Sequence, residues 1–232
     1  MTADKAVSRG SATNKAVKPQ IMILDDHPLV CKGLEDLLTM ASEMEVFAVS
    51  NNASEALQKL EKSQPDLLLL DLSLPGTGGL DFLKDLRIRY PDIPVLVLSM
   101  HEENIYAERV LHAGARGYIM KQEPGEKVIE AIRTILSGGV YASQNLLSRI
   151  LGQLASSGRS GAGRIGLEAL GDRELQVYSL IGEGLSTKEI ATKLHLSAKT
   201  VQTHREHIKE KLGLKNASEL THSAVMCNKS GC

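Results

Sequence analysis

The sequence predicts a doubly wound α/β unit around a five-stranded parallel sheet, followed by a small all-α unit of four helices. Three observations carry this prediction. Between residues 20 and 136, short apolar runs alternate five times with segments of helical periodicity. Beyond residue 166 the periodicity is helical throughout. Between the two lies GQLASSGRSGAGRIG (152–166), rich in Gly, Ser and Ala, which has little to bury and reads as a flexible linker. A chain of 232 residues suits one large domain or two small ones, since domains run to about 100–200 residues.

The elements follow in order. Residues 20–24 form a strand that runs into Asp25-Asp26, and 28–40 carry Leu29, Val30, Leu34, Leu37 and Leu38 at helical spacing, with Pro28 in the first turn. Residues 45–49 are a second strand, and 54–62 a helix with Ala56, Leu57 and Leu60 inward. DLLLL (66–70) is continuously apolar up to Asp71, as expected of a parallel strand covered on both faces. Helices at 79–89, 103–113 and 126–136 alternate with strands at 95–99 (VLVLS) and 117–120, and 145–154 adds a further helical turn or two. The tail helices are 172–182, 187–194, 198–212 and 217–225. The domains are therefore a disordered extension at 1–17, the α/β unit at 18–140, a helical extension and linker at 141–166, the helical unit at 167–228 and a tail at 229–232.

Composition excludes several classes. Hydrophobic residues make up 42% and charged residues 24%, which is ordinary globular composition, and the core must be aliphatic because Trp is absent and Phe scarce. No 18-residue apolar run offers a transmembrane helix, and the polar start lacks the apolar stretch of a signal peptide, so a cytoplasmic protein away from membranes is expected. Cys31, Cys227 and Cys232 show no metal-ligand spacing and read as free thiols, with Cys227 and Cys232 near a frayed end and open to oxidation in vitro. The formal charge is −1 overall, but residues 164–232 carry ten Lys/Arg against eight Asp/Glu, a balance of +2, while the rest stands at −3. A mildly basic tail is compatible with DNA contact without establishing it.

Chemistry concentrates at the strand ends. Asp25, Asp26 and Asp71 follow two different strands, and parallel strands bring such ends to one rim. Crowded carboxylates repel unless a cation joins them, and hard oxygen donors favour magnesium or manganese. A single Asp at a strand end is more often a turn or cap residue; three of them, with Ser99 and Lys121 ending the fourth and fifth strands, form a pattern. Gly76, Gly78 and Gly79 are turn residues, lacking the Gly-Lys-Ser/Thr ending of a phosphate-cradling loop. His27 and His101 flank the rim without an evident chemical duty, and Met100 reads as a bulky gate.

With DLSLPG at 71–76 and GYIMK at 117–121, these residues resemble the flavodoxin-like receiver domain of bacterial two-component response regulators. The resemblance implies that Asp71 accepts a phosphoryl group from a cognate sensor histidine kinase. It further implies that Asp25, Asp26, Asp71 and the Ser73 carbonyl hold Mg2+. Ser99 would hydrogen-bond the phosphoryl group, Lys121 would pair with it, and Tyr118 would be the aromatic switch that turns inward on phosphorylation.

In the tail, Ser186-Thr187-Lys188-Glu189 fits a capping box, His195-Leu196 makes a tight turn, and Ser197 caps the next helix. On that helix Val201, His204, Ile208 and Leu212 share one side, while Lys199, Gln202, Thr203, Glu206 and Glu210 point roughly opposite. Two helices about a tight turn, the second with a polar outer face, suggest a helix-turn-helix. Residues 170–214 resemble the LuxR-type motif, and the whole chain resembles the NarL/FixJ class of response regulators. That resemblance makes 187–195 the scaffold helix, 198–212 the recognition helix on double-stranded DNA, and the last helix the contact between tails of a homodimer. Contacts are expected from Lys188, Lys199, Gln202, Thr203 and Glu206, with Arg205, His207 and Lys209 meeting phosphates; Glu206 either accepts from a cytosine amine or, the favoured choice, engages another side chain. The family usually has Thr where this chain has Gly171, a change that costs only a few tenths of a kcal/mol.

The expected function is a phosphorylation-switched transcriptional regulator rather than an enzyme, in which the unphosphorylated receiver covers or misorients the tail. RNA polymerase stands as a further candidate partner. Alternatives are a DNA-binding regulator switched by a partner or a small phosphodonor, a magnesium-dependent phosphohydrolase, and an interaction adaptor.

Overall fold

A computed structural model describes residues 18–76, 78–100, 103–156 and 166–230. The extension at 1–17, His101, most of the linker and Cys232 lie outside the described residues. Five parallel strands, β1 (Gln20–Leu24), β2 (Glu45–Ser50), β3 (Leu67–Asp71), β4 (Val95–Ser99) and β5 (Gly117–Met120), form one sheet in the order β2-β1-β3-β4-β5. Consecutive side chains point to opposite faces, so β1 divides its residues between two cores. Ile21 and Ile23 pack with α1 (Pro28–Ala41) and α5 (Gly125–Leu136); Met22 and Leu24 pack on the side of α2 (Ala53–Leu60), α3 (Gly79–Arg89) and α4 (Glu103–His112). Every residue of β3 and β4 is buried, as their unbroken apolar runs require.

The tail consists of α7 (Asp172–Gly182), α8 (Thr187–Lys193), α9 (Ala198–Leu212) and α10 (Ala217–Ser230), preceded by a 3-10 turn at Gly166–Ala169. Leu175, Tyr178, Ile190, Val201, Ile208, Leu220 and Ala224 form its core. The Tyr178 hydroxyl meets Ser223 Oγ at 2.8 Å, tying α7 to α10.

Several sequence expectations are corrected. Leu29 is 86% exposed, because the stripe of α1 that meets the sheet is Cys31, Leu34 and Leu38. α2 starts earlier, at Ala53, because Asn52 caps it by accepting from the Glu55 N–H. α6 (Gln144–Ser156) is a full helix of 13 residues rather than a turn or two, and it absorbs 152–156 of the expected linker. α10 runs on to Ser230, which buries Cys227 in the tail core instead of leaving it at a frayed end. Tyr141, beyond α5, bridges to Gly117 in parallel, accepting from the Tyr118 N–H and donating to Arg116 O.

Candidate functional site

The strand ends converge as the topology demands. Asp71 is the last residue of β3, and Asp25 follows β1 beside it; they are 1% and 2% exposed. Ser99, the last residue of β4, is fully buried, and its carbonyl accepts from the Lys121 N–H at 2.8 Å, which anchors Lys121 just past β5. Lys121 Nζ then lies 2.7 Å from Asp25 Oδ2 and 2.9 Å from Asp71 Oδ2. Burial holds the Asp71 carboxyl above its ordinary range, with Lys121 opposing and Asp25 adding to the shift. For Lys121 burial works against the charge, but Asp71 and Asp25 outweigh it and the amine stays protonated beyond its usual range.

His27 Nδ1 closes the rim from the solvent side, 2.8 Å from Asp26 Oδ1 and 3.2 Å from Asp25 Oδ1. Asp26 Oδ1 is buried against the His27 ring, and the buried Asp71 carboxylate is met by Lys121 and the Ser73 backbone N–H. Carboxylates crowded on one rim repel unless a cation joins them, so the donor set of Asp25, Asp26 and Asp71 fits a hard divalent ion. Ser73 is half-buried in the loop after β3. Tyr118 points inward at 2% exposure, and Met100 is 55% exposed at the mouth.

The second candidate surface is on the tail. Ser186 N–H donates to Glu189 Oε2 at 2.8 Å, Glu189 N–H reaches Ser186 Oγ at 3.4 Å, and Ser197 Oγ accepts from the Thr200 N–H at 3.0 Å. Between these caps His195 takes φ 54, the left-handed turn that sets α8 against α9. Val201 and Ile208 are buried, while Lys188, Lys199, Gln202, Thr203, Glu206 and His207 are exposed and Arg205 and Lys209 half-buried. Glu206 accepts from Gln202 Nε2 at 2.8 Å and pairs with Lys209 Nζ at 2.7 Å, so in the DNA-free protein it engages neighbours on its own helix. His207 Nδ1 lies 3.8 Å from Glu174 Oε1, toward α7.

Residues 21–133 match the response regulator receiver domain, and residues 168–224 match the bacterial regulatory proteins of the luxR family. Over 209 residues the chain is 37% identical to the oxygen regulatory protein NreC of Staphylococcus aureus, covering 89% of this chain and 96% of that one. The chain is a response regulator with a luxR-family tail. Among solved structures the regulator is similar to RcsB of Salmonella enterica serovar Typhimurium bound to promoter rprA with the phosphomimetic BeF3-. The identity is 25% over 90% of this chain and 99% of RcsB, and the TM-score is 0.60. A LuxR-family two-component response regulator from Aurantimonas sp. SI85-9A1 is 29% identical over 60% of this chain and all of its own, with a TM-score of 0.55.

Sequence reasoning missed how the regulator's two units meet. Arg109 of α4 donates to Leu167 O at 2.6 Å and Leu170 O at 2.7 Å, and its Nη1 lies 3.3 Å from Asp172 Oδ1. Lys84 of α3 pairs with the same Asp172, and Arg173 donates to Gly76 O. Tyr106 of α4 is 2% exposed in an apolar cluster that continues through Leu170 and Tyr178 into the tail, with its hydroxyl beside Ser179. No local pattern marks these residues, because their partners lie dozens of positions away. With the two units in contact, the outward side chains of α9, Lys199, Gln202 and Thr203 among them, remain exposed.

Proposed function

We propose that this response regulator controls transcription in the cytoplasm and is switched by a phosphoryl group on Asp71. The reading is supported above all by one arrangement: a buried Asp71 paired with Lys121 at 2.9 Å, in a unit whose α4 grips the DNA-binding tail. An Asp71 oxygen attacks the phosphorus of a phosphohistidine on the sensor kinase; the N–P bond breaks and an acyl phosphate forms. Lys121 stays charged beside the incoming oxygens, and the Ser99 hydroxyl lies at the adjoining strand end to hydrogen-bond them. Magnesium, held by Asp25, Asp26, Asp71 and the Ser73 carbonyl, would supply charge neutralisation at the phosphoryl oxygens.

Occupancy then reaches the tail through β4, α4 and Tyr118. Tyr118 lies in β5 beside Val97, and α4 packs on β5, so a shift at Ser99 moves the helix that carries Tyr106 and Arg109. Release of Asp172 and the 167–170 carbonyls frees two tails to pair on double-stranded DNA as a homodimer, with RNA polymerase as a downstream partner. Lys199, Gln202 and Thr203 would read bases, while Lys188, Arg205, His207 and Lys209 would meet phosphates, Glu206 restraining Gln202 and Lys209 until DNA replaces it. The working units are the receiver at 18–140, a connector at 141–166 and the DNA-binding domain at 167–228.

Genomic fragments retained by the full-length protein test this, sequenced with and without magnesium and beryllium fluoride. Enrichment of paired half-sites only with the mimic is expected. Equal enrichment in both samples removes the phosphorylation gate, and none in either removes DNA binding.

A further inference from the structure

We propose that α9 selects adenine through Gln202 and thymine through Thr203, and that Glu206 makes the same face reject guanine. The inference rests on the reading that α9 enters the major groove of DNA, and it adds the bases that this helix reads.

Gln202 and Thr203 fall in the second turn of α9 and Glu206 one turn further on, all three exposed; the N-terminal part of a recognition helix is the part that meets base edges. The hydrogen bonds they make in the DNA-free protein decide what each can offer a base. Gln202 Nε2 donates to Glu206 Oε1 at 2.8 Å. Its amide thus points a donor at an acceptor and keeps its carbonyl oxygen for a donor. A base that takes the place of Glu206 must accept from Nε2 and donate to Oε1 together. On the major-groove edge of a single base, only adenine sets an acceptor, N7, beside a donor, the N6 amine. Guanine sets two acceptors there, N7 and O6, so its O6 would face Gln202 Oε1 with no hydrogen between them.

Thr203 Oγ1 donates to Lys199 O at 3.1 Å, back onto its own helix. With the hydroxyl so engaged, the methyl group is the part of this exposed side chain left to meet a base. A Thr methyl packs against the C5 methyl of thymine, a group that marks thymine in the major groove. Glu206 supplies the exclusion. It pairs with Lys209 at 2.7 Å, and Lys209, with Gln202, holds its carboxyl below the ordinary range, so it is ionised at neutral pH. When Gln202 turns to a base and Lys209 to a phosphate, that charge stays in the groove one turn from Gln202. A carboxylate there repels the O6 and N7 acceptors of guanine and tolerates the amines of adenine and cytosine. Discrimination against a wrong partner is commonly built from such a repulsive element.

Selection from a randomised DNA duplex library by the full-length protein, with magnesium and beryllium fluoride, provides the test. The enriched half-site is expected to hold one adenine that Gln202→Lys converts to guanine. It should also hold one thymine that Thr203→Ser loses and Thr203→Val keeps, the other positions staying as in wild type. Exchanging the adenine for guanine in the enriched duplex should weaken wild-type binding about 30-fold and Glu206→Ala binding only about fivefold. A half-site left unchanged by Gln202→Lys and Thr203→Ser, or one whose altered positions were not adenine and thymine, overturns the base assignment while DNA binding stands. An equal guanine penalty in wild type and Glu206→Ala overturns the role of Glu206. No enriched sequence from the wild-type protein overturns both this inference and the DNA-binding reading beneath it.

Discussion

Gly79 lets α3 start against the backbone of Asp71 by having no side chain. A Cβ there would lie 2.2 Å from Asp71 O and 2.5 Å from Leu72 Cα, while its own N–H donates to Leu72 O at 2.9 Å. The start of α3 is thus pressed against the end of β3, and Gly79→Ala must move the backbone that carries Asp71. We expect a loss of about 1–3 kcal/mol in urea unfolding, together with slower phosphoryl uptake from a small phosphodonor. Uptake at the wild-type rate would show that the Asp71 position is not set by this contact. The rim itself was readable from sequence because each member sits at or next to a strand end, and parallel strands deliver their ends to one edge. His27 stands at the N-cap of α1, and only the fold brings its ring back over the carboxylates.

Among the elements, α7 and α9 are joined by Glu174, which accepts from the Gly171 N–H at 2.6 Å and from Lys211 Nζ at 2.7 Å. Half of the capping box therefore survives at Gly171, and the same carboxylate clamps the recognition helix. Burial pushes the Glu174 carboxyl up, but Lys211 and the Gly171 N–H push it down further, so it lies below the usual range. The folded state then binds fewer protons than the unfolded chain around its ordinary value of about 4.3. The resulting stability is present above that pH and is lost as pH falls through the lower folded value. Glu174→Gln is expected to cost about 1–2 kcal/mol near neutral pH and little at about pH 3; an equal deficit at both would refute the charge-based account. The α4–α7 junction yields a second prediction. Arg109→Ala removes donors to Leu167 O and Leu170 O and frees one side of Asp172, so DNA affinity without beryllium fluoride should rise toward that with it. A gap between the two affinities as wide as in wild type would place the restraint elsewhere.

Across the molecule, one apolar cluster runs from the α2–α4 face of the sheet through Tyr106 into the core of the tail. Burial of an aromatic side chain of this kind is worth about 1.5–3 kcal/mol, and here it falls on the joint between two folding units. Calorimetry of the metal-free regulator should show coupled melting of both units, and Tyr106→Ala should split it into two transitions. A single unchanged transition would mean that Tyr106 does not couple them. Beryllium fluoride should weaken the same coupling in wild type, because the phosphoryl signal and the tail compete for the position of α4.

The amino-acid sequence by itself determined the elements whose causes are local. Apolar runs named the strands, helical periodicity the helices, Ser186 and Ser197 the caps of α8 and α9, and strand-end aspartates the site. Where neighbours in space decide, sequence reading fell short. The exposure of Leu29 depends on which stripe of α1 meets the sheet, and the burial of Cys227 depends on α10 continuing across α7. The grip of Arg109 on two backbone carbonyls leaves no trace in side-chain patterning, because every residue carries a carbonyl. Only the tertiary structure decided that α4 docks on α7 while the outward side chains of α9 stay exposed, since that choice is made by packing between surfaces far apart in the sequence.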